Sequence, residues 1–177
     1  NSIFAIDAWS DLEAMFEGID RSGMYQTWIA GEFRAARESW GLSAGDPLDW
    51  GNWRVLAPVE AVKAACAEDP RVRLTMINTD NDCVIAGERE ACKRVLTALG
   101  NRTALLMGHD IVAHAAEMKV WEKPWYDLHH RRTAPVPGLR IYSNASGGWY
   151  EASADAIATA LTDQATDGVD FRRVVEA

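Results

Sequence analysis

Apolar residues recur every three to four positions along the first forty residues. Leu12, Met15, Phe16 and Ile19 make one stripe and predict a helix over 10–21. Ser10 and Glu13 stand at capping-box spacing at its start, where each side chain can satisfy the other's backbone N–H. Ile29, Phe33, Ala36 and Trp40 make a second stripe over 26–40, with Gly41 as the stop. Residues 41–53 are rich in Gly, Pro and Trp and read as a long ordered loop. A short strand over 54–57 leads to Pro58, which suits the start of a helix running to about Glu68. Asp69-Pro70 ends that helix.

The rhythm then shortens to two. Val72, Leu74 and Met76 alternate with Arg71, Arg73 and Thr75, the pattern of a half-buried strand. Asn78 to Asp82 is turn chemistry. Residues 83–86 form a second strand closed by Gly87, and 88–99 a helix with Gly100 at its C-terminal cap position. A third strand spans 103–107. A helix over 115–130 follows, interrupted at Pro124. A fourth strand spans 139–143 before the turn at 144–148, and a last helix covers about 153–165. From Val72 to Ser143 the order is β-turn-β-α-β-α-β. It predicts a small α+β subdomain of ferredoxin-like type within an α/β chain.

The 177 residues are enough for one domain with a substantial core, and 48% hydrophobic with 25% charged residues is ordinary globular usage. The net charge of -8 argues against nucleic acid as the main partner, because phosphate neutralisation needs an excess of Lys and Arg. Apolar runs are too short for a membrane span, and no signal peptide is visible. Cys66, Cys83 and Cys92 form no C-x-x-C, which speaks against a disulfide framework or an all-cysteine zinc site and fits a reducing cytoplasm. Eight tryptophans are unusual. Trp28 and Trp40 fall on helical stripes and suit the core, whereas Trp50 and Trp53 suit loop anchors.

No G-x-S-x-G elbow, phosphate-binding glycine loop or H-E-x-x-H occurs. His109 and His114 are five apart, outside helical ligand spacing, so no metal site is expected. His114 lies in an apolar segment, Ile111-Val-Ala-His-Ala-Ala. It reads either as a hydrogen-bonded structural histidine or as a general base. His129-His130-Arg131-Arg132 reads either as a solvated helix end or as a patch for an acidic partner.

Three segments together resemble the acyltransferase domains that load malonyl units onto acyl carrier proteins, most of all those of polyunsaturated fatty acid synthases and iterative polyketide synthases. Met76-Ile-Asn78-Thr-Asp-Asn-Asp-Cys-Val-Ile-Ala-Gly87 is similar to the family's N-x-P-x-x-V-V-I-S-G stretch. Arg140-Ile-Tyr-Ser-Asn144-Ala-Ser-Gly147 is similar to its V-S-N-x-x-G, and Gln164 to Phe171 to its Q-x-x-x-P-V-R-F. The family's histidine lies about thirty residues before that Asn, and His114 stands thirty before Asn144. The chain departs from the pattern at Ala113, Ala115-Ala116, Gly168 and Asp170.

The resemblance implies His114 as general base, held by the backbone carbonyl of Gln164. It implies Arg21 as the clamp on the malonyl carboxylate, with Asn78 and Asn144 lining one cleft. The serine nucleophile would lie upstream of Asn1, so these residues alone would be inactive. The implied organisation is residues 1–70 as helical pieces of an α/β-hydrolase-like large subdomain, 71–144 as the ferredoxin-like small subdomain, and 145–177 as a return to the large one. The implied substrates are malonyl-CoA or a related acyl-CoA and the phosphopantetheine arm of an acyl carrier protein. The setting is a multidomain cytoplasmic synthase with no bound cofactor, nucleic acid or membrane. An alternative is a non-catalytic docking module that meets an acidic carrier through the His129–Arg132 and Arg172-Arg173 clusters.

Overall fold

Five strands make the main sheet in the computed structural model, which describes residues 9–100, 103–134 and 137–177. In chain order they are β1 (Trp50–Leu56), β2 (Val72–Thr79), β3 (Asp82–Glu88), β4 (Thr103–Leu106) and β7 (Val169–Asp170). Helix α3 (Val59–Ala67) joins β1 to β2, and α4 (Arg89–Ala98) joins β3 to β4. Strands β1 to β4 with these helices form a β-α-β-β-α-β unit, ordered β4-β1-β3-β2 across the sheet and antiparallel at every one of those pairings. That is the ferredoxin-like arrangement. Strand β7 extends it in parallel beside β2, at Met76↔Val169.

The subdomain type matches the sequence reading, but its strands do not. The first strand is residues 50–56, which the sequence assigns to a loop and, from Arg54, to a short strand. The strand expected at 139–143 is no part of this sheet. It shrinks to β5 (Ile141–Tyr142), which pairs only with β6 (Trp149–Tyr150) in a separate two-stranded sheet. The expected division at 71 and 144 therefore does not coincide with the sheet. Turn-like composition hides β1: a glycine and an asparagine stand between its tryptophans. Gly51 is there because the Trp53 ring folds over it, and a Cβ would sit 2.6 Å from that ring. Trp50 and Trp53 are core residues, 0% and 6% exposed, rather than loop anchors.

The strands alternate between two buried faces. Trp53, Val55, Val72, Cys83 and Ile85 pack under α3 and α4 with Val62, Cys66, Cys92 and Val95. Burial pushes the Cys66 thiol up to about 12 and the Cys83 thiol up to about 11, so both are protonated packing groups. Trp50 and Ala86 face the other way, against Met24, Ile29, Ala35, Ala36, Val112, Met118 and Trp121.

That second layer is helical. It begins with α1 (Trp9–Ser22), where the side chain of Ser10 lies outside the described residues, so the capping box is not described. The helix expected over 26–40 is broken. A π-helical turn, Met24–Trp28, is followed by α2 (Arg34–Ser39). Gly31 at φ 61 and Phe33 at φ 51 make the break. A side chain at Gly31 would collide with the carbonyl of Gln26. The break frees the Ile29 carbonyl, which instead accepts from Val112 N at 2.7 Å.

The segment expected as one helix over 115–130 is a 3-10 helix, Ala116–Trp121, continued by α5 (Glu122–His129). Pro124 stands in the first turn of α5, where its missing N–H has no helical acceptor to lose. Helix α6 (Ala154–Thr166) opens on Ser153, whose side chain accepts from Ala156 N at 3.1 Å. A short α7 (Phe171–Glu176) follows β7. No helix of the described residues is long and apolar enough to cross a membrane.

Candidate active site

Residues 111–115 leave the sheet edge, run across its second face and meet the C-terminal end of α6. The last carbonyls of a helix have no partner inside it. Two of them, on Gln164 and Ala165, are taken by this segment. His114 Nδ1 lies 2.5 Å from the Gln164 carbonyl oxygen, and Ala115 N donates to the Ala165 oxygen at 3.2 Å. His114 itself has φ 55, a left-handed backbone that side-chain-bearing residues seldom adopt.

This geometry assigns the tautomer. A carbonyl only accepts, so Nδ1 carries the proton and Nε2 of the neutral ring keeps its lone pair. Burial holds the His114 pKa below the usual imidazole value, partly offset by the hydrogen bond to Gln164. The ring is therefore neutral at pH 7. If it takes a proton, the negative end of the α6 dipole stands beside it. A half-buried imidazole with an oriented N–H, a free second nitrogen and a dipole end to stabilise its cation has the attributes of a general base.

Asn144 and Gln164 share one cavity of about 240 Å³, with Ile141, Ser143, Tyr150 and Leu161 on its walls. The Ser143 hydroxyl accepts from Ala145 N and Ser146 N, both at 3.3 Å, which fixes the turn that carries Asn144. Asn78 stands elsewhere. It donates to Asp82 Oδ1 at 3.2 Å and lines a separate groove with Asp80, Phe171 and Arg172. The two asparagines expected in one cleft thus line separate grooves. Arg21 stands in the last turn of α1 with 76% of its side chain exposed, and its contacts are to Glu17 of its own helix.

The basic clusters are engaged within the chain. Arg172 pairs with Asp80 at 2.6 Å and Asp170 at 2.7 Å, Arg132 with Asp11 at 3.6 Å, and His130 with Asp155 at 3.0 Å. Three polar residues near His114 carried no signal in the sequence. Asn52 and Arg73 reach its segment from far along the chain, and Glu117 stands three residues after it. Only Glu117 could have been noticed, as a charge between Ala116 and Met118.

No family model matches the chain. The malonyl-CoA:acyl carrier protein transacylase from Helicobacter pylori superposes with a TM-score of 0.73 at 17% identity, over 97% of this chain and 50% of that one. A type II polyketide synthase malonyl-transacylase, solved in complex with its acyl-carrier protein, superposes at 0.65 with 24% identity, over 81% of this chain and 47% of that one. The chain has the acyltransferase fold. In sequence it is 30% identical over 161 residues to a subunit of the polyunsaturated fatty acid synthase from Thraustochytrium sp. (strain ATCC 26185 / S-3). That match takes in 84% of this chain and 8% of the relative. The resemblance read from the three motifs thus recurs in sequence over 84% of the chain and in fold. Within this acyltransferase fold, the chain spans half or less of the length of the structures it matches.

Proposed function

We propose that this chain is the base-bearing part of a malonyl-type acyltransferase domain. The domain moves malonyl or a related acyl group from CoA to the phosphopantetheine thiol of an acyl carrier protein, within a multidomain synthase of fatty acids or polyketides. The observation that carries this reading is the His114–Gln164 contact at the end of α6, on a chain with this fold.

The reaction runs in two halves. A serine hydroxyl, supplied by chain preceding Asn1, gives its proton to His114 Nε2 and attacks the thioester carbonyl. The tetrahedral intermediate collapses and releases CoA, whose sulfur takes that proton. The carrier thiol then gives its proton to Nε2 and attacks the acyl-serine ester, and the serine leaves with the proton. Throughout, the Gln164 carbonyl holds Nδ1–H, and the end of α6 stabilises the imidazolium. Because the acceptor is backbone, Gln164→Ala preserves the contact. Arg21 binds the malonyl carboxylate bidentately. Its exposed pair with Glu17 is worth at most about 1 kcal/mol, so exchange for a substrate carboxylate is easy.

The test uses a chain that includes the preceding segment. With His114→Ala, acyl-enzyme formation from labelled malonyl-CoA should fall at least about a hundredfold, the usual contribution of a general base. Unchanged loading refutes the assignment. Arg21→Ala should lower malonyl loading far more than acetyl loading, and equal losses would remove the clamp.

A further inference from the structure

The chain is tied to one face of the sheet three residues before His114 and again three residues after it. Ahead of it, the Ile111 carbonyl accepts from Asn52 Nδ2 at 3.2 Å, and Asn52 Oδ1 accepts from Trp50 Nε1 at 2.8 Å. Behind it, Glu117 Oε1 accepts from Trp40 Nε1 at 2.9 Å and pairs with Arg73 Nη2 at 2.7 Å. Glu117 is 1% exposed, and its Oε2 is buried without a partner. The rings of Trp40 and Trp50 stack at 5.7 Å, so the two ties share one aromatic base.

Glu117 is a costly residue at its position. Taking a carboxylate out of water is expensive, and an apolar side chain of similar size would fill the space without that penalty. The segment between the ties contains the one strained residue at the site, His114 at φ 55. Such a backbone persists only where the surroundings over-determine it. Fixing both ends of a seven-residue stretch does so.

We propose that Asn52 and Glu117 are positioning residues for His114. The two ties fix the ends of 111–117, hold the left-handed turn between them, and so aim Nδ1 at the Gln164 carbonyl while leaving Nε2 for proton transfer. The catalytic half of this statement rests on the reading of His114 as the base. The geometric half is measured without any activity.

The probe is the His114 Nδ1–H resonance in the ¹⁵N-labelled 177-residue chain, followed by its exchange with water. Three variants are compared. Asn52→Ala removes the leading tie. Arg73→Met with Glu117→Met removes the trailing tie and leaves no uncompensated charge. Trp40→Phe keeps the ring stack and removes one N–H. Exchange should quicken at least tenfold in the first two and about threefold in the third, with far-UV circular dichroism unchanged. In acyl loading by the longer chain, the first two should lower kcat about tenfold at constant KM. Exchange as slow as in the parent overturns the proposal. If the larger changes unfold the chain, Trp40→Phe decides alone, and an unchanged rate there overturns it. If exchange quickens while His114→Ala still loads malonyl, the ties position His114 and the catalytic reading fails.

Discussion

Replacing His114 by Ala and, separately, by Gly separates its backbone from its ring. Both variants lose the same bond to the Gln164 carbonyl, worth about 1 kcal/mol, and the same ring burial. They differ in how they tolerate φ 55 and in the conformational freedom they lose on folding. Alanine there carries the left-handed penalty of about 1–2 kcal/mol, and glycine does not. Against this, glycine loses more conformational freedom on folding, about 0.5–1 kcal/mol. The balance leaves His114→Gly more stable than His114→Ala by about 0.5–1 kcal/mol, the reverse of the usual order. Urea unfolding followed by tryptophan fluorescence reads this directly, since the chain has eight tryptophans. With a slope of about 2 kcal/mol/M, the glycine midpoint should lie higher by roughly 0.3–0.5 M. An alanine midpoint equal to or above the glycine one would mean that position 114 is not held in the left-handed region, and the positioning argument would lose its basis.

Gly87→Ala should lose about 3 kcal/mol or more in a thermal melt, because at φ 156 its Cβ would strike the Arg71 carbonyl across the β2–β3 pairing, and a loss under 0.5 kcal/mol would contradict that pairing. Burial first of all holds His114 and His129 below the ordinary imidazole pKa of 6.5. The unfolded chain therefore binds those protons more readily, so stability is full above about pH 6.5 and declines as pH falls from there through the folded values. Melting temperature against pH measures this, and His129→Gln should flatten the decline. Ile85→Ala, at a fully buried position under α3 and α4, should cost about 2–5 kcal/mol by chemical denaturation with an unchanged slope.

Local information in the chain was sufficient for its local features. Periodicity located α4, α6 and the start of β2, Pro58 and Asp69-Pro70 bounded α3, and a short apolar run closed by Gly87 marked β3, because each of these signals acts within one element. Motif order with spacing singled out His114 and Gln164 and indicated the fold. What failed was whatever depends on a distant partner. Strand β1 has a Gly-Trp-Asn composition that reads as loop, and only pairing with β3 and β4 and the fold of Trp53 over Gly51 make it a strand. The stripe over 26–40 is a good helical pattern, yet the chain breaks it and gives the Ile29 carbonyl to Val112. Asn78 and Asn144 are both turn residues, and nothing local says that they face different grooves. The sequence alone therefore determined α3, α4, α6 and the β2–β3 pair, and which histidine is distinctive, since propensity and pattern act over a few residues. Tertiary structure decided the strand that opens the sheet, the left-handed turn at His114 and the Asn52 and Glu117 ties, because those contacts join residues 28 to 77 positions apart in the chain.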